Sequence, residues 1–326
     1  MIYFPSKAKN YRLIIFGIIN FIISIALFYL IFLNIDFKNF INLINGIDIN
    51  LILLCTLLSI TQVLLNCMRW YVLANQVVRG INFIFLLKHT YMVCFLGQVL
   101  PSSIGGEAYK IIASRVITSS LKKSIIITLV EKYIVLMSLI FLILVSFYCF
   151  NSISTYWVSS LMNFFSLSGL FLMLIILLLY NLKKIKIGKN FVGKIKVIFY
   201  KSTNFIWNKK LLIYILLISF LSHINLLLIF KLIASSIQIQ LDFFEMSYIF
   251  FIIFLFSQLP ISFGGWGVRE ATAVTGLALL GVSPDEAFTI STLFGLLFLF
   301  SYSPAILFGY KNFEFLYFKL INKKKI

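Results

Sequence analysis

The sequence contains two similar polar motifs within strongly apolar surroundings. The first motif, QVLPSSIGGEAYK, begins at Gln98, and the second motif, QLPISFGGWGVRE, begins at Gln258. A single offset of 159 residues aligns the Leu-Pro, Ser and Gly-Gly positions and the basic pair Lys110 and Arg269. Because this offset is close to half of the 326-residue length, we interpret the two motifs as an internal repeat.

Residues of these types could bind an anion. Proline removes a helix donor and paired glycines loosen the backbone, so we expect each helix to break and a second helix to begin near the glycines. The free N–H groups and partial positive charge of a helix start attract anions, and Lys110 and Arg269 add full charges about one turn later. We therefore predict a site for phosphate or carboxylate, in which the glycines let the ligand approach and the serines cap or donate.

The predicted substrate-binding residues come from both motifs: Gln98, Pro101, Ser103, Gly105, Gly106, Glu107, Lys110, Gln258, Pro260, Ser262, Gly264, Gly265, Arg269 and Glu270. In the alternative, the two breaks only pack against neighbouring helices, and the bases pair with Glu107 and Glu270. The glutamines could bind substrate or satisfy freed backbone groups.

Three further ionisable residues in apolar segments are secondary candidates, namely Arg69, Glu131 and His223. Glu131 and its neighbour Lys132 could instead form an interfacial pair. For His223, a hydrogen-bonded packing role is favoured over a proton relay.

The composition predicts an all-α polytopic membrane protein. Hydrophobic residues make up 61% of the chain, charged residues 12%, and the mean hydropathy is +1.04. A soluble globule could not bury this much apolar surface. The four cysteines lie in apolar stretches without a CxxC pair, so neither a metal site nor a disulfide framework is predicted. No cofactor is expected.

About six segments are long enough to span a membrane, since spanning takes roughly 20 apolar residues. The predicted spans lie at about 13–33, 48–68, 124–149, 159–181, 211–236 and 287–310. The two motifs interrupt the remaining apolar stretches, about 82–120 and 246–282, and leave arms of about 14 to 18 residues. We predict two re-entrant hairpins, or eight or more spans if the arms cross. Paired interruptions of this kind are typical of transporter binding sites.

The charge distribution predicts the topology. The net charge is +18, and the basic residues flank apolar spans, which indicates orientation signals rather than nucleic-acid binding. If both hairpins return to their own side, the loops 34–47, 150–158 and 237–245 and the acidic pair Asp285 and Glu286 lie outside. Every strongly basic loop then lies on the cytoplasmic side, as do the N-terminus and the C-terminal tail. The result is a single membrane domain made of inverted halves, about 1–150 and 151–326.

The segment 183–210 is predicted to be a basic cytoplasmic loop. It interleaves lysine with apolar residues and could also lie on the inner leaflet, although an ordinary positive-inside loop is slightly favoured.

Four stretches carry a resemblance to a known family: MRW at 68–70, the first motif, EK at 131–132, and LPISFGGWGVRE at 259–270. The sequence resembles the flippase-like family that includes the transmembrane domain of lysylphosphatidylglycerol synthases. It departs from the family pattern by having Lys110 and Lys132 where arginine is usual, which retains charge but loses bidentate geometry.

The resemblance implies movement of a lipid across the cytoplasmic membrane, for example an aminoacylated or polyprenyl-linked phospholipid. The lysyl-transferring members carry a large soluble domain after this region, so lipid aminoacylation by this chain alone is not expected. No nucleotide-binding motif occurs in the sequence, so we expect passive or ion-coupled movement. No Ser/His/Asp set or metal-ligand spacing occurs either, so no enzymatic activity is expected.

Three alternatives stay open. The first is a secondary transporter of small anions. The second is a polyprenyl-dependent glycosyltransferase that uses Asp36 in its first outer loop. The third is an accessory subunit that binds an envelope-biosynthesis enzyme. The lipid's identity and the oligomeric state are not predicted.

Overall fold

The computed structural model describes residues 7–33, 35–100, 104–149 and 209–307, with side chains from residue 18 onward. All regular structure in these ranges is helical, which confirms the all-α membrane fold. In chain order the helices are α1 (Lys7–Phe32), α2 (Phe37–Asn45), α3 (Ile49–Asn75), α4 (Phe83–Val99), α5 (Ile104–Thr118), α6 (Leu121–Cys149), α7 (Lys209–Ser236), α8 (Phe243–Ser257), α9 (Val268–Ala278) and α10 (Pro284–Tyr302).

Four of these helical segments are long and apolar enough to cross a membrane: Ile49–Asn75, Leu121–Cys149, Lys210–Ser236 and Pro284–Leu307. They correspond to four of the six predicted spans. The fifth predicted span, 13–33, lies in α1. The Ile18–Phe32 part of α1 forms a pair with the next helix, Phe37–Asn45, and the two are bent by 92°. The predicted span at 159–181, the loop 150–158, most of the basic loop 183–210 and the C-terminal tail lie outside the described residues.

The two interrupted stretches form helical hairpins, as the Pro-Gly breaks predict. Hairpin one is α4 packed on α5, and hairpin two is α8 packed on α9. Their arms contain 17, 15, 15 and 11 residues, fewer than the roughly 20 apolar residues that a typical crossing takes. The last arm is shorter than predicted because Gly264, Gly265 and Gly267 take positive φ angles before α9 begins.

The hairpins pack into different cores at opposite ends of three long helices. Hairpin one packs with the end of α3, including Trp70 and Leu73, and with Ile127 at the start of α6. Hairpin two packs with the opposite parts of the same helices, including Val63 of α3 and Ile143 of α6. The helix α7 likewise contributes its first turns to one core and its last turns to the other. The two hairpin tips therefore approach each other between the cores.

The 159-residue offset relates helices as well as motifs. It carries α3 onto residues 208–234, where α7 occupies Lys209–Ser236. It carries α4 onto 242–258, where α8 occupies Phe243–Ser257, and it carries α6 onto the region of α10. The repeat, which the sequence showed only at the motifs, therefore extends to these three pairs of described helices.

Two hydrogen bonds from backbone N–H groups join loops that are far apart in the sequence. The Asp36 N–H donates to Asp285 Oδ1 at 2.9 Å, and the Asp48 N–H donates to the Ser236 carbonyl at 2.9 Å. The loops that the charge pattern places outside thus lie at one end of the molecule. The segment 34–47, expected to be a loop, contains the short helix α2, because the Asp36 carboxylate caps it by accepting from the Lys38 N–H at 2.9 Å.

Candidate functional site

A cavity of about 430 Å³ lies between the two hairpin tips. Both motifs reach it: the first contributes Gln98, Gly106, Glu107 and Lys110, and the second contributes Gln258, Gly264 and Arg269. All three secondary candidates also line it, together with Lys132. Residues that are far apart in the sequence therefore meet in one place.

A buried ionic cluster forms one wall. The Lys110 Nζ lies 2.7 Å from Glu131 Oε2, and the Arg69 Nε lies 3.7 Å from Glu131 Oε1. The three side chains are between 6% and 9% exposed. Lys110 also lies over the ring of Trp70, 5.1 Å from its centroid, a cation–π contact. Lys110 therefore pairs across to α6 and not with Glu107 on its own helix.

A second, more open pair joins the hairpin tips. The Lys132 Nζ donates to Glu107 Oε1 at 3.4 Å and to Gln258 Oε1 at 3.2 Å. Its side chain is 42% exposed. Glu131 and Lys132 thus have different partners, although they are neighbours in α6. Lys132 connects α6 to both hairpins.

Arg269 and Glu270 form a closed unit at the start of α9. The Arg269 Nη2 lies 2.6 Å from Glu270 Oε1, and Glu270 Oε2 accepts the Gly267 N–H at 2.6 Å. The guanidinium stacks on Trp266, 4.6 Å from the ring centroid. Although the two residues are adjacent in the sequence, their side chains meet because the arginine folds back over its neighbour. This pairing agrees with the packing alternative.

Gly295 of α10, which was not among the predicted site residues, leaves room for the Arg269–Glu270 unit. A β-carbon at Gly295 of α10 would overlap the Arg269 guanidinium and lie 2.8 Å from the Trp266 ring. A single glycine in an apolar span gives no motif signal, so only the structure identifies it.

The motif glycines allow close backbone contacts, within hairpin one at Gly106 and between the two hairpins at Gly264. A β-carbon at Gly106 would overlap the Val93 carbonyl of α4. A β-carbon at Gly264, which has φ +59°, would overlap the Gln98 carbonyl. Close backbone approach of this kind requires glycine. At these two positions the absence of a side chain serves close packing of the backbone, and the predicted role in ligand approach stays a prediction.

Two motif glycines remain. A β-carbon at Gly105 would overlap the Leu100 side chain, and Gly265 has φ +83°. Only glycine adopts such a positive φ without strain, so Gly265 shapes the turn that precedes α9.

The helix starts differ from the prediction in the second motif. In the first motif, α5 begins at Ile104, next to the glycines, as predicted. In the second, α9 begins only at Val268, and its N-terminus is occupied by its own Glu270. Ser262 is fully buried, and no hydrogen-bond partner for its hydroxyl occurs among the described residues, so it is not the cap of α9. The anion site predicted at this terminus is thus filled by the chain's own carboxylate.

The remaining predicted residues have varied positions. Pro260 is exposed in the turn between α8 and α9. Pro101 and Ser103 lie outside the described residues. The His223 Nε2 lies 3.1 Å from the Val135 carbonyl, which can only accept, so His223 donates there as the packing interpretation expects. Its Nδ1 is buried with no hydrogen-bond partner in the described part of the chain, as is Gln98 Oε1.

A polar stripe on α3 also went unrecognised. Ser59, Gln62, Asn66 and Arg69 follow helical spacing on one face. Asn66 accepts from Arg69 Nη2 at 2.6 Å, and Gln62 donates to Ser222 of α7 at 2.8 Å. The spacing is visible in the sequence and could have predicted this face.

An apolar wall forms another part of the cavity. Its side chains come from α6, α7, α8 and α10: Val135, Leu136, Leu139, Leu226, Phe254, Leu255, Phe294 and Phe298. The cavity thus joins a charged part to an apolar part, which suits an amphiphilic ligand.

Comparison with known proteins gives one family. The family model described as the lysylphosphatidylglycerol synthase TM region matches residues 17–306. The matched region contains both motifs and every described residue of the cavity. No curated protein matches the chain.

Proposed function

Because the chain belongs to the family of the lysylphosphatidylglycerol synthase transmembrane region, we propose that this multi-pass membrane protein moves a phosphate-bearing lipid headgroup across the bilayer. The family suggests a function related to membrane lipids. The movement itself, the cytoplasmic membrane as its location, and cytoplasmic termini are parts of the proposal, and the basic flanks of the spans support the orientation.

The observation that carries the proposal is the cavity between the hairpin tips. Four cationic side chains lie at its wall, Arg69, Lys110, Lys132 and Arg269, in a part of the molecule that is formed by membrane-spanning helices and hairpins. Ionisable groups are costly at this depth and are usually functional. The apolar wall favours a lipid over a small soluble anion, because it could receive the first carbons of the acyl chains.

In the proposed cycle the headgroup enters the cavity while the acyl chains stay in the bilayer. The two hairpins enter from opposite ends, so each closes one route to the cavity, as in other inverted repeats. Lys132 bonds to the tips of both hairpins and would release one of them when the cavity opens. The pair is partly exposed and therefore weak, about 0–1 kcal/mol, which suits a contact that breaks in each cycle.

Transport can be measured with fluorescent phospholipids in proteoliposomes that contain the purified protein. The test variants are Arg69→Gln and Lys110→Gln, which remove the buried charges. The matched controls are Arg79→Gln and Lys122→Gln, because both residues are exposed and lie outside the cavity. We expect both test variants to lose most of the transport and both controls to retain it.

Two results would contradict the proposal. If folded Arg69→Gln and Lys110→Gln variants move lipid as fast as the wild type, the cavity does not carry the headgroup. If the protein takes up free phosphate and lipid movement remains at background, the site serves a small anion instead. An absence of both activities, with a co-purified biosynthetic enzyme, would favour the accessory role.

A further inference from the structure

The charges of the cavity do not cancel. Arg269 is paired with Glu270, and Lys132 is paired with Glu107. The two remaining cations, Arg69 and Lys110, share the single carboxylate of Glu131. Among the described residues the site therefore has four positive and three negative side chains, which leaves one positive charge without a counterion.

The uncompensated charge lies on donors that lack acceptors. Arg69 is 7% exposed, and its Nη1 has no hydrogen-bond partner in the described part of the chain. Its Nε reaches Glu131 Oε1 only at 3.7 Å, beyond hydrogen-bonding distance. Buried donors without acceptors are costly, so an acceptor supplied by a ligand would be favourable here. Arg69 lines the cavity, which gives a ligand access to this position.

We infer that the Arg69–Lys110–Glu131 cluster binds a lipid phosphate carrying one negative charge, a phosphodiester, and that Glu131 determines this limit. This inference rests on the proposed function and names its substrate class. A phosphodiester balances the single free charge, whereas a phosphomonoester or a diphosphate leaves surplus negative charge in a buried site. The Glu131 carboxylate neutralises one of the two cations, so the ligand supplies only one negative charge.

The preference among lipid phosphates is expected to follow the free charge of the Arg69–Lys110–Glu131 cluster. Glu131→Gln leaves Arg69 and Lys110 without their carboxylate, so the free charge rises to two. The double variant Lys110→Gln with Glu131→Gln removes one charge of each sign and restores a surplus of one. The preference for lipid phosphates should follow this count and not the number of mutations.

The experiment measures binding of phosphatidylglycerol and phosphatidic acid to the full chain in neutral detergent at pH 8. At that pH a phosphomonoester carries close to two negative charges. We expect the wild type to prefer phosphatidylglycerol by at least about tenfold, because unbalanced like charges in a buried site cost several kcal/mol. Glu131→Gln should reverse the preference, and the double variant should recover that of the wild type. Glu245→Gln, outside the cavity, is the matched control and should change nothing.

An unchanged preference in Glu131→Gln, or the same preference in this variant and the double variant, would overturn the inference. If Glu131→Gln does not fold, Arg69→Gln takes its place, because its free charge is zero. That variant should bind phosphatidylglycerol no better than diacylglycerol, and retained phosphatidylglycerol selectivity would overturn the inference. Selective binding without transport in proteoliposomes would refute the proposed function alone, whereas transport without phosphate selectivity would refute this inference alone.

Discussion

The contact between Gly264 and the Gln98 carbonyl joins the two hairpin tips, and Gly264→Ala tests it. Alanine at φ +59° costs about 1–2 kcal/mol, because the left-handed region crowds a β-carbon. The new β-carbon also overlaps the Gln98 carbonyl, and relieving such overpacking costs about 1–3 kcal/mol more. Together we expect a loss of about 2–5 kcal/mol in the free energy of unfolding.

Thermal unfolding in detergent measures this loss, and Gly281→Ala provides the matched control. Gly281 has φ +77° with open space around its α-carbon, so alanine there meets the backbone strain without the overlap. The melting temperature should fall by about 2–4 °C per kcal/mol, and further for Gly264→Ala than for Gly281→Ala. Equal losses in the two variants would refute the close contact between the hairpin tips.

Three further variants test other parts of the site and fold. Gly295→Ala should displace Arg269 and reduce lipid transport in proteoliposomes, whereas Gly46→Ala, outside the cavity and with only ordinary contacts for a β-carbon, should leave it intact; equal transport would refute the role of Gly295. Lys132→Met should change the free energy of unfolding by only about 0–1 kcal/mol, because its ion pair is partly exposed, while altering the transport rate. Asp36→Ala should cost about 1 kcal/mol as a lost helix cap, measured by thermal unfolding, and should leave transport unchanged. Loss of lipid-linked sugar turnover in that last variant would instead favour a glycosyltransferase.

Much of the fold could be predicted because its determinants are local. Apolar length gave the spans that became α3, α6, α7 and α10. The Pro-Gly breaks gave the hairpins, since a proline and paired glycines disrupt a helix whatever surrounds it. The short helix α2 was missed because it depends on the Asp36 cap in a segment too short to signal a helix by composition.

The partners within the site could not be predicted, because they depend on helix packing. Neighbours in the sequence suggested that Lys110 pairs with Glu107, whereas the packing of α5 on α6 brings Lys110 to Glu131 instead. The glycine pairs resembled an opening for a ligand, but the Gln98 carbonyl of the first hairpin fills the space beside Gly264. Which residues meet in the cavity was therefore predicted better than which atoms they contact.

The central claim is that the lipid headgroup crosses through the cavity, and a native cysteine allows a direct test. Cys94 lines the cavity and is half-buried. Cys55 and Cys67 are fully buried outside the cavity, and exposed Cys149 can be replaced by serine. In this background a sulfonate-bearing methanethiosulfonate reagent would attach an anionic group to Cys94.

The measurement is phospholipid movement in proteoliposomes before modification, after it, and after reduction with dithiothreitol. The account predicts that modification abolishes movement, that reduction restores it, and that Cys94→Ser is insensitive to the reagent. Full movement with Cys94 shown by mass spectrometry to be completely modified would contradict passage of the headgroup through the cavity.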